Sequence, residues 1–265
     1  MIASTMLEFR NVSFSRGPRL LLDRLSFGIE AQEMVALVGP NGVGKTTMLK
    51  LASRLLPPTS GEILLEGKPL AAWSRRELPR AIALVPQELE IPFSFRVEEI
   101  VAQGRVPYQP LFGASTPVDR KAVENALEAV DITGLRHRVY SELSGGERQR
   151  VKIAIGLAQQ PKVMLLDEPT QHLDIGRQIE LIALLGQLNA RGITIIAAVH
   201  DLNLVAENFS SVILLTPEPS WMAGSADEVL RPDLLERAFS VRQSALGRYF
   251  FTPASQWHGA SLVGD

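Results

Sequence analysis

The fold of this chain follows from the stretch Gly39-Pro40-Asn41-Gly42-Val43-Gly44-Lys45-Thr46-Thr47. It matches the phosphate-loop pattern G-x-x-x-x-G-K-[ST], in which glycines let the backbone bend and bring N–H groups close to phosphate oxygens. The Lys45 ammonium suits the β- and γ-phosphates, and the Thr46 hydroxyl suits Mg²⁺. We therefore predict that this whole stretch binds a nucleotide.

The residues on either side of this stretch agree with a phosphate loop. Residues 34–38 form a short apolar run that predicts a buried strand, and 46–56 form a helical pattern that stops at Pro57-Pro58. A strand, a loop and a helix in this order place the loop at a helix N-terminus, where the helix dipole favours anions. A chance glycine-rich turn is the alternative, and it explains neither the lysine and the hydroxyl nor the flanks.

Composition and charge exclude several classes of protein. Of the 265 residues, 46% are hydrophobic, which suits a globular protein with a sizeable core. The absence of cysteine excludes disulfides, thiolate metal sites and cysteine nucleophiles, and the net charge of −2 gives no reason to expect nucleic-acid binding. No signal peptide is visible, and no apolar run approaches the ~20 residues of a membrane helix. We expect other subunits to supply any membrane spans.

Two strand patterns predict two sheets. Short apolar runs at 6–14, 25–29 and 63–65 predict a small, partly antiparallel β-layer. Buried strands that alternate with helices predict a parallel sheet with crossovers. Its strands are expected at 34–38, 81–85, 163–166, 193–199 and 212–216, with a helix at 175–189.

The region between residues 88 and 144 is more polar and more helical. Residues 118–130 place their apolar side chains on one helical face, and a second helix is expected from Gly145 to 160. The predicted fold class is therefore α/β, with a mainly parallel sheet, an N-terminal antiparallel β subdomain and an inserted helical subdomain. After 217 the pattern is less regular, and 253–265 is expected to be a loose tail.

Two carboxylates follow the apolar strand at 163–166. A parallel strand delivers its last residues to the carboxyl edge of the sheet, beside the phosphate loop. We expect Asp167 to hold Mg²⁺ and Glu168 to act as general base on the attacking water. A solvated acidic loop is the alternative, and the phosphate loop upstream argues against it.

A second glycine turn opens a helix at residues 143–150. Ser144 and Glu147 have the spacing of a capping box, and the free N–H groups there can bind an anion. One nucleotide has one γ-phosphate, which the phosphate loop already holds. We infer that Ser144, Gly145 and Gly146 serve a nucleotide bound to another subunit, and a simple N-cap is compatible with this role.

Two further polar residues follow predicted strands. Gln87 has an amide that can contact Mg²⁺ or the attacking water, and His200 can donate a hydrogen bond to the γ-phosphate or orient the water. We expect both to take part in catalysis together with Glu168.

In order and approximate spacing, these motifs resemble those of an ABC-transporter ATPase subunit. Walker A is the phosphate loop, the Q-loop holds Gln87, the signature is 143–147, Walker B is 163–168, the D-loop holds Leu173-Asp174 and the switch histidine is His200. The resemblance covers residues 7 to about 235. It implies a P-loop NTPase fold in a single domain, 1–265, with a core and β subdomain at 1–87 and 156–235, a helical subdomain at 88–155 and a tail at 236–265.

The family implies an ATPase that works as a head-to-tail homodimer, with two ATP molecules and their Mg²⁺ ions between the subunits. Ser144, Gly145 and Gly146 would meet the nucleotide of the other subunit, and Asp174 is implied as a further nucleotide contact. The helical subdomain would contact two membrane-spanning permease subunits. A substrate-binding protein would be an indirect partner, and the family implies no nucleic acid. The chain would lie peripherally on the cytoplasmic face of the inner membrane.

A finer resemblance concerns the transported substrate. Three segments are similar to motifs that occur together in the ATPases of iron–siderophore, haem and cobalamin importers. They are 104–108, which is similar to G-R-x-P-[YH], the D-loop segment 171–175, and the segment 200–203 that begins with His200. The segment 247–255 is similar to the C-terminal tail of the ATPases of haem importers. An exporter subunit is one alternative, which residues 104–108 argue against. A soluble ABC ATPase is another, and this chain lacks the second cassette and the cysteines usual there.

One departure from the family affects the nucleotide base. Members usually place an aromatic residue near position 16 to stack on adenine, whereas this chain has Arg16. A guanidinium plane can also stack on a base. We therefore expect Arg16 to contact the bound nucleotide.

Overall fold

The computed structural model describes residues 5–91, 94–109, 114–243 and 251–253. The strands are β1 (Thr5–Arg16), β2 (Arg19–Glu30), β3 (Met34–Val38), β4 (Ser60–Leu65), β5 (Lys68–Pro69), β6 (Ile82–Val85), β7 (Val163–Leu166), β8 (Thr194–Ala198), β9 (Ser211–Thr216), β10 (Ser220–Ser225), β11 (Val241–Gln243) and β12 (Phe251–Pro253). The helices are α1 (Lys45–Ala52), α2 (Leu78–Ala81), α3 (Val97–Val101), α4 (Pro117–Ala129), α5 (Gly145–Ala158), α6 (Ile175–Ala190), α7 (Leu202–Asn208), α8 (Ala226–Val229) and α9 (Pro232–Phe239).

The central sheet has six strands in the order β10-β9-β3-β8-β7-β6. All neighbours pair in parallel except β10, which is antiparallel to β9. Every residue of β3, β7 and β8 is buried, because helices and a second sheet cover the two faces. The prediction of a mainly parallel sheet is confirmed.

A second sheet, with the order β2-β1-β4-β5, packs on one face of the central sheet and is antiparallel throughout. Side chains alternate across β3, so that Val35 and Leu37 join the core beneath this sheet and α1, while Ala36 and Val38 face the core of the opposite side. The predicted N-terminal antiparallel subdomain is confirmed.

The helical region between β6 and β7 contains α3, α4 and α5. Thr116 caps α4 and shares a capping box with Asp119, so the predicted helix at 118–130 occurs at Pro117–Ala129. Its apolar residues Val123 and Leu127 lie in the same core cluster as Ile153 of α5. The predicted inserted helical subdomain is thereby confirmed as part of the fold.

The predicted end of α1 was wrong. The helix ends at Ala52, not at residue 56, because Arg54 adopts a left-handed conformation with φ of 57°. The Arg54 guanidinium donates to the carbonyls of Leu70 and Trp73, both at 2.6 Å. The helix therefore ends in a local turn, in which the N–H of Leu55 donates to the Lys50 carbonyl at 2.8 Å, and the Arg54 side-chain contacts accompany that turn.

The part of the chain after residue 217 is more regular than expected. It forms β10, α8 and α9, which sequence patterns did not indicate. Two of the proposed subdomain boundaries, 155/156 and 235/236, fall inside α5 and α9. Residues 254–265 of the predicted loose tail, and most of 247–255, lie outside the described residues. Within the described part of the chain, no helix is both long enough and apolar enough to cross a membrane.

Candidate functional site

The carboxyl end of β3 leads directly into the glycine-rich loop. Gly39 has φ of 152°, and a Cβ there would lie 2.6 Å from the Leu215 carbonyl oxygen, so the close approach of the two backbones requires glycine. The side chain of Lys45 is only 4% exposed, and its Nζ donates to the carbonyls of Gly39 at 2.8 Å and Pro40 at 3.1 Å. Burial lowers the pKa of Lys45, against the attraction of nearby carboxylates. The loop thus folds around its own lysine.

Asp167 lies beside this loop at the end of β7. The backbone N–H of Asp167 donates to the Val85 carbonyl at 3.0 Å, which extends the β6–β7 ladder by one residue. The Thr46 hydroxyl donates to Asp167 Oδ1 at 3.1 Å. Burial raises the pKa of Asp167, although the Thr46 hydrogen bond opposes this. A buried carboxylate paired with a hydroxyl is a suitable set of hard oxygen ligands for Mg²⁺.

Glu168 is the point at which separate parts of the chain meet. Its Oε1 lies 2.7 Å from Nε2 of His200 and 3.8 Å from Nζ of Lys45, while its Oε2 accepts a hydrogen bond from Nε2 of Gln87 at 3.2 Å. The Glu168 backbone has φ of 47°, an uncommon left-handed conformation for this residue type. Four residues that the sequence predicted independently are therefore brought into one cluster.

The position of His200 is fixed by the segment on each side of it. Before it, the N–H of Val199 donates to the Leu37 carbonyl at 3.1 Å. After it, Asp201 caps α7 by accepting hydrogen bonds from the N–H groups of Asn203 and Leu204. The His200 side chain is 41% exposed, so it is accessible to a ligand at the sheet edge.

The second glycine turn forms a separate feature. Ser144 caps α5 and accepts from the N–H of Glu147, whose carboxylate accepts from the N–H of Ser144 at 2.8 Å, as the capping box predicts. Ser144 and Gly146 line a cavity of about 440 Å³ beside α6, and Gly145 lines another cavity next to Gln87. In the described part of the chain, these three residues do not line the phosphate-loop cavity. Asp174 likewise caps α6 by accepting from the N–H of Arg177.

Residues 22–171 match the family described as ABC transporter. The chain belongs to this family. The ferric enterobactin transport ATP-binding protein FepC of Escherichia coli (strain K12) is 38% identical over 89% of this chain and 88% of its own length. The hemin import ATP-binding protein HmuV of Thermobifida fusca (strain YX) is 38% identical over 89% and 83%. Among solved structures, a metal-chelate type ABC transporter in an inward-facing conformation has a TM-score of 0.81 at 28% identity, over 93% of this chain and 95% of that chain.

These comparisons confirm the predicted family, the fold class and the prediction that this ABC transporter chain binds and hydrolyses ATP. The roles of individual residues remain predictions. The structure also places several other side chains near the predicted residues, and sequence patterns did not indicate these side chains.

Gln87 of this ABC ATPase has two hydrogen-bond partners, Gln171 and Lys152, that the sequence did not indicate. Its side-chain amide donates to Gln171 as well as to Glu168, and its backbone carbonyl accepts a hydrogen bond of 2.6 Å from Nζ of Lys152. Gln171 and Lys152 are far from Gln87 in sequence, and although Gln171 begins the segment 171–175, no pattern pairs either residue with Gln87. A single sequence therefore contains no signal for these contacts.

A cavity of about 340 Å³ opens beside the phosphate loop. Its lining residues come from the β1–β2 hairpin, the phosphate loop and the end of β7: Arg16, Arg19, Leu21, Gly42, Gly44, Lys45, Thr46, Thr47 and Glu168. Arg16 thus lines the cavity beside the phosphate loop, and its contact with a nucleotide stays a prediction. The sequence patterns did not single out Arg19 or Leu21. Arg19 pairs with Arg16 across the β1–β2 turn, so that turn is the signal that could have placed Arg19 beside Arg16.

Proposed function

We propose that this ABC ATPase hydrolyses ATP as a homodimer and thereby energises the uptake of a metal chelate of the iron–siderophore, haem or cobalamin type. The observation that carries the catalytic part is the cluster in which Gln87, His200 and Lys45 surround Glu168 at the mouth of the phosphate loop. The substrate class is supported by the FepC and HmuV relatives, whose names specify ferric enterobactin and hemin.

The phosphates bind along residues 39–47. Lys45 is held by two neutral carbonyls rather than by a close carboxylate, so most of its positive charge stays available to phosphate oxygens. The free N–H groups at the start of α1 and the helix dipole favour the same anion. Arg16 stacks on the base from the β1–β2 hairpin.

Mg²⁺ is a second ligand that these residues fit. Thr46 and Asp167 provide paired oxygen atoms. Gln87, whose amide nitrogen contacts the adjacent Glu168, would contribute its carbonyl oxygen. The ion, when bound, supplies positive charge that offsets the charge of the phosphate oxygens.

Glu168 removes the proton from the attacking water. Its Oε1 and Oε2 are each held from one side, by His200 and by Gln87, which fixes the orientation of the carboxylate. His200 is the more exposed of the two and serves as a hydrogen-bond donor to the γ-phosphate or the water. These residues orient the nucleophile, and Lys45 stabilises charge on the phosphate.

The dimer completes the site. Among the described residues, Ser144, Gly145 and Gly146 at the N-terminus of α5 do not line the phosphate-loop cavity of their own chain, although Gly145 lines a second cavity together with Gln87 and Glu168. A second copy placed head to tail brings this terminus to the γ-phosphate of its partner. Asp174, which begins α6 nearby, then contacts the partner's nucleotide site as well.

The helical subdomain, residues 88–155, contacts the permease subunits. It contains an apolar cavity of about 340 Å³ with acidic side chains at its rim, and the lining residues are Leu89, Glu90, Ile91, Phe95, Glu99, Ile100, Gln103 and Ile155. This surface suits an amphipathic cytoplasmic helix of each of two permease subunits.

The remaining residues, 1–87 and 156–235, form the nucleotide-binding core, and 236–265 follow it. The chain is then peripheral on the cytoplasmic face of the inner membrane, and a substrate-binding protein acts through the permease.

Glu168→Gln tests the catalytic assignment. We expect the variant to bind ATP and form a dimer that size-exclusion chromatography resolves, while hydrolysis falls at least about a hundredfold. Adding Ser144→Arg should abolish that dimer, because the larger charged side chain blocks the N-terminus of α5. Wild-type turnover in Glu168→Gln would remove Glu168 as the base, and ATP-dependent dimers in the double variant would exclude the role in trans.

The transported substrate is tested in the full complex. The chain is purified with its permease subunits, reconstituted in vesicles together with the substrate-binding protein, and assayed for ATP-dependent movement of an iron–siderophore, haem or cobalamin. Movement of the chelate towards the face opposite the ATPase would indicate an exporter, and activity towards none of the three would overturn the substrate class.

A further inference from the structure

We propose that Lys152 is a positioning residue that holds Gln87 and ties it mechanically to α5. The inference rests on the proposed function, because it assumes that Gln87 takes part in ATP hydrolysis. It starts from the hydrogen bond of 2.6 Å between Lys152 Nζ and the Gln87 carbonyl oxygen.

Gln87 lies just beyond the sheet. The β6–β7 ladder ends with the hydrogen bond from the Asp167 N–H to the Val85 carbonyl, and the chain then passes through Pro86. Proline has no N–H and cannot continue a ladder. The backbone from which the Gln87 side chain extends is therefore held by α5, through Lys152, and no longer by the strand.

Lys152 is well suited to this contact. It is half-buried, and burial lowers the pKa of its ammonium while the nearby Glu88 carboxylate partly offsets the effect. A hydrogen bond from a charged donor is stronger than a neutral one, and more so where water is partly excluded. Arg148 of α5 lines the same cavity as Lys152 and Gln87. Its guanidinium donates to the Ser141 carbonyl and lies over the ring of Tyr140. Lys152 is thus the cation of α5 that holds Gln87.

The same helix carries the second glycine turn at its N-terminus. Ser144 and Lys152 are separated by roughly two turns, or about 12 Å along a single helix whose first turn is fixed by a capping box. A displacement of that terminus, when it engages the partner's nucleotide, moves Lys152 with it. Because Gln87 touches Glu168, the displacement reaches the base of the chain's own site.

Lys152→Met tests this role, since it keeps the length of the aliphatic stem and removes the donor. With the full chain and saturating MgATP, we expect kcat to fall roughly tenfold, as for a slightly misplaced catalytic group, while KM for ATP changes by less than about twofold. Lys152→Arg should restore most of kcat. Lys121→Met is the matched control, because Lys121 makes an exposed pair with Glu124 on α4, and it should leave both parameters unchanged.

A double-variant cycle separates positioning from a general effect on structure. Gln87→Ala keeps the carbonyl that Lys152 binds but removes the side chain that reaches Glu168. If Lys152 acts through that side chain, Lys152→Met should have no further effect on kcat in the Gln87→Ala background. Thermal unfolding checks that all variants fold, and Lys152→Gln takes the place of Lys152→Met in the cycle if the latter does not fold.

Two results would overturn the inference: unchanged kcat in Lys152→Met, or a loss of the same factor with and without the Gln87 side chain. Both are distinct from failure of the proposed function, which would appear as absence of ATP hydrolysis in the unmodified chain.

Discussion

Two buried cations in this protein, Lys45 and Arg105, have different sets of partners. Their side chains are 4% and 2% exposed. Lys45 is held by the carbonyls of Gly39 and Pro40, and its nearest carboxylate oxygen is 3.8 Å away. Arg105, in contrast, makes a direct ion pair of 2.9 Å with Asp119. The first cation keeps charge for a ligand, and the second is neutralised within the protein.

Arg105 is fully engaged in holding the helical subdomain together. Besides Asp119, it donates to the Ala158 carbonyl at 2.7 Å and to the Gln160 side chain at 2.9 Å, and it stacks over Tyr108 at 3.7 Å. These partners come from α4, from the end of α5 and from the segment before α4. Arg105 therefore joins three parts of the chain and is not available to a transported substrate or another ligand.

This comparison changes the interpretation of residues 104–108. A Cβ at Gly104 would lie 2.3 Å from the Ile155 carbonyl, and the Tyr108 hydroxyl donates to the Gln159 carbonyl at 2.8 Å. The segment thus packs closely on the C-terminal half of α5. The contacts of Gly104, Arg105 and Tyr108 therefore give these residues a structural role that requires no contact with a chelate.

Arg105→Met should have the largest effect on stability. It leaves the Asp119 carboxylate buried without its cation, which typically costs about 3–5 kcal/mol. We expect the lower end, about 3 kcal/mol, because Thr116 continues to donate to Asp119 from its hydroxyl at 2.7 Å and its N–H at 3.0 Å. Chemical denaturation measures the loss. Arg105→Met with Asp119→Asn should recover part of it, whereas an equal loss in the double variant would show that the charge of Asp119 is not the cause.

Lys45→Met should show the opposite pattern. Because burial lowers the pKa of Lys45, its ammonium is less stable in the folded protein than in the unfolded chain, and removing it should leave the free energy of unfolding unchanged or raised. ATP affinity should fall roughly ten- to a hundredfold with the loss of a charge-assisted contact. Equilibrium binding of ATP and denaturation of the same sample measure both. Unchanged affinity would remove Lys45 from the phosphate site.

Much of the fold and site could be predicted because the signals are local. The phosphate loop combines glycines, a lysine and a hydroxyl within nine residues, and the strands are continuous apolar runs. Parallel strands end at one edge, so a sequence that places Gln87, Glu168 and His200 after strands also predicts their convergence. Distances of 3.2 and 2.7 Å from Glu168 to the other two agree with that reasoning.

The remaining features depend on tertiary contacts between distant segments. Lys152 binds a carbonyl 65 residues away, and Arg54, just after the end of α1, donates to carbonyls of a later segment. Periodicity and propensity describe neighbours along the chain and contain no information on such pairs. Arg105 is the converse case, since the motif that contains it is visible in the sequence but its contacts depend on burial against α4 and α5.

Ser144→Ala should destabilise the protein less than Arg105→Met does, and it allows two capping boxes to be compared. Ser144 and Thr116 each accept a hydrogen bond from the N–H three residues on, and the loss of such a cap costs about 1 kcal/mol. Thr116→Ala should cost more than this, because the Thr116 hydroxyl also donates to Asp119. Only Ser144→Ala should also weaken the ATP-dependent dimer, measured by size exclusion in the Glu168→Gln background, because Thr116 caps a helix whose N-terminus serves no nucleotide. Thr116→Ala is thus the control for a destabilising cap loss away from the proposed dimer contact. If both variants weakened the dimer equally, the effect of Ser144 would come from helix stability, and the N-terminus of α5 would lose its proposed contact with the partner's nucleotide.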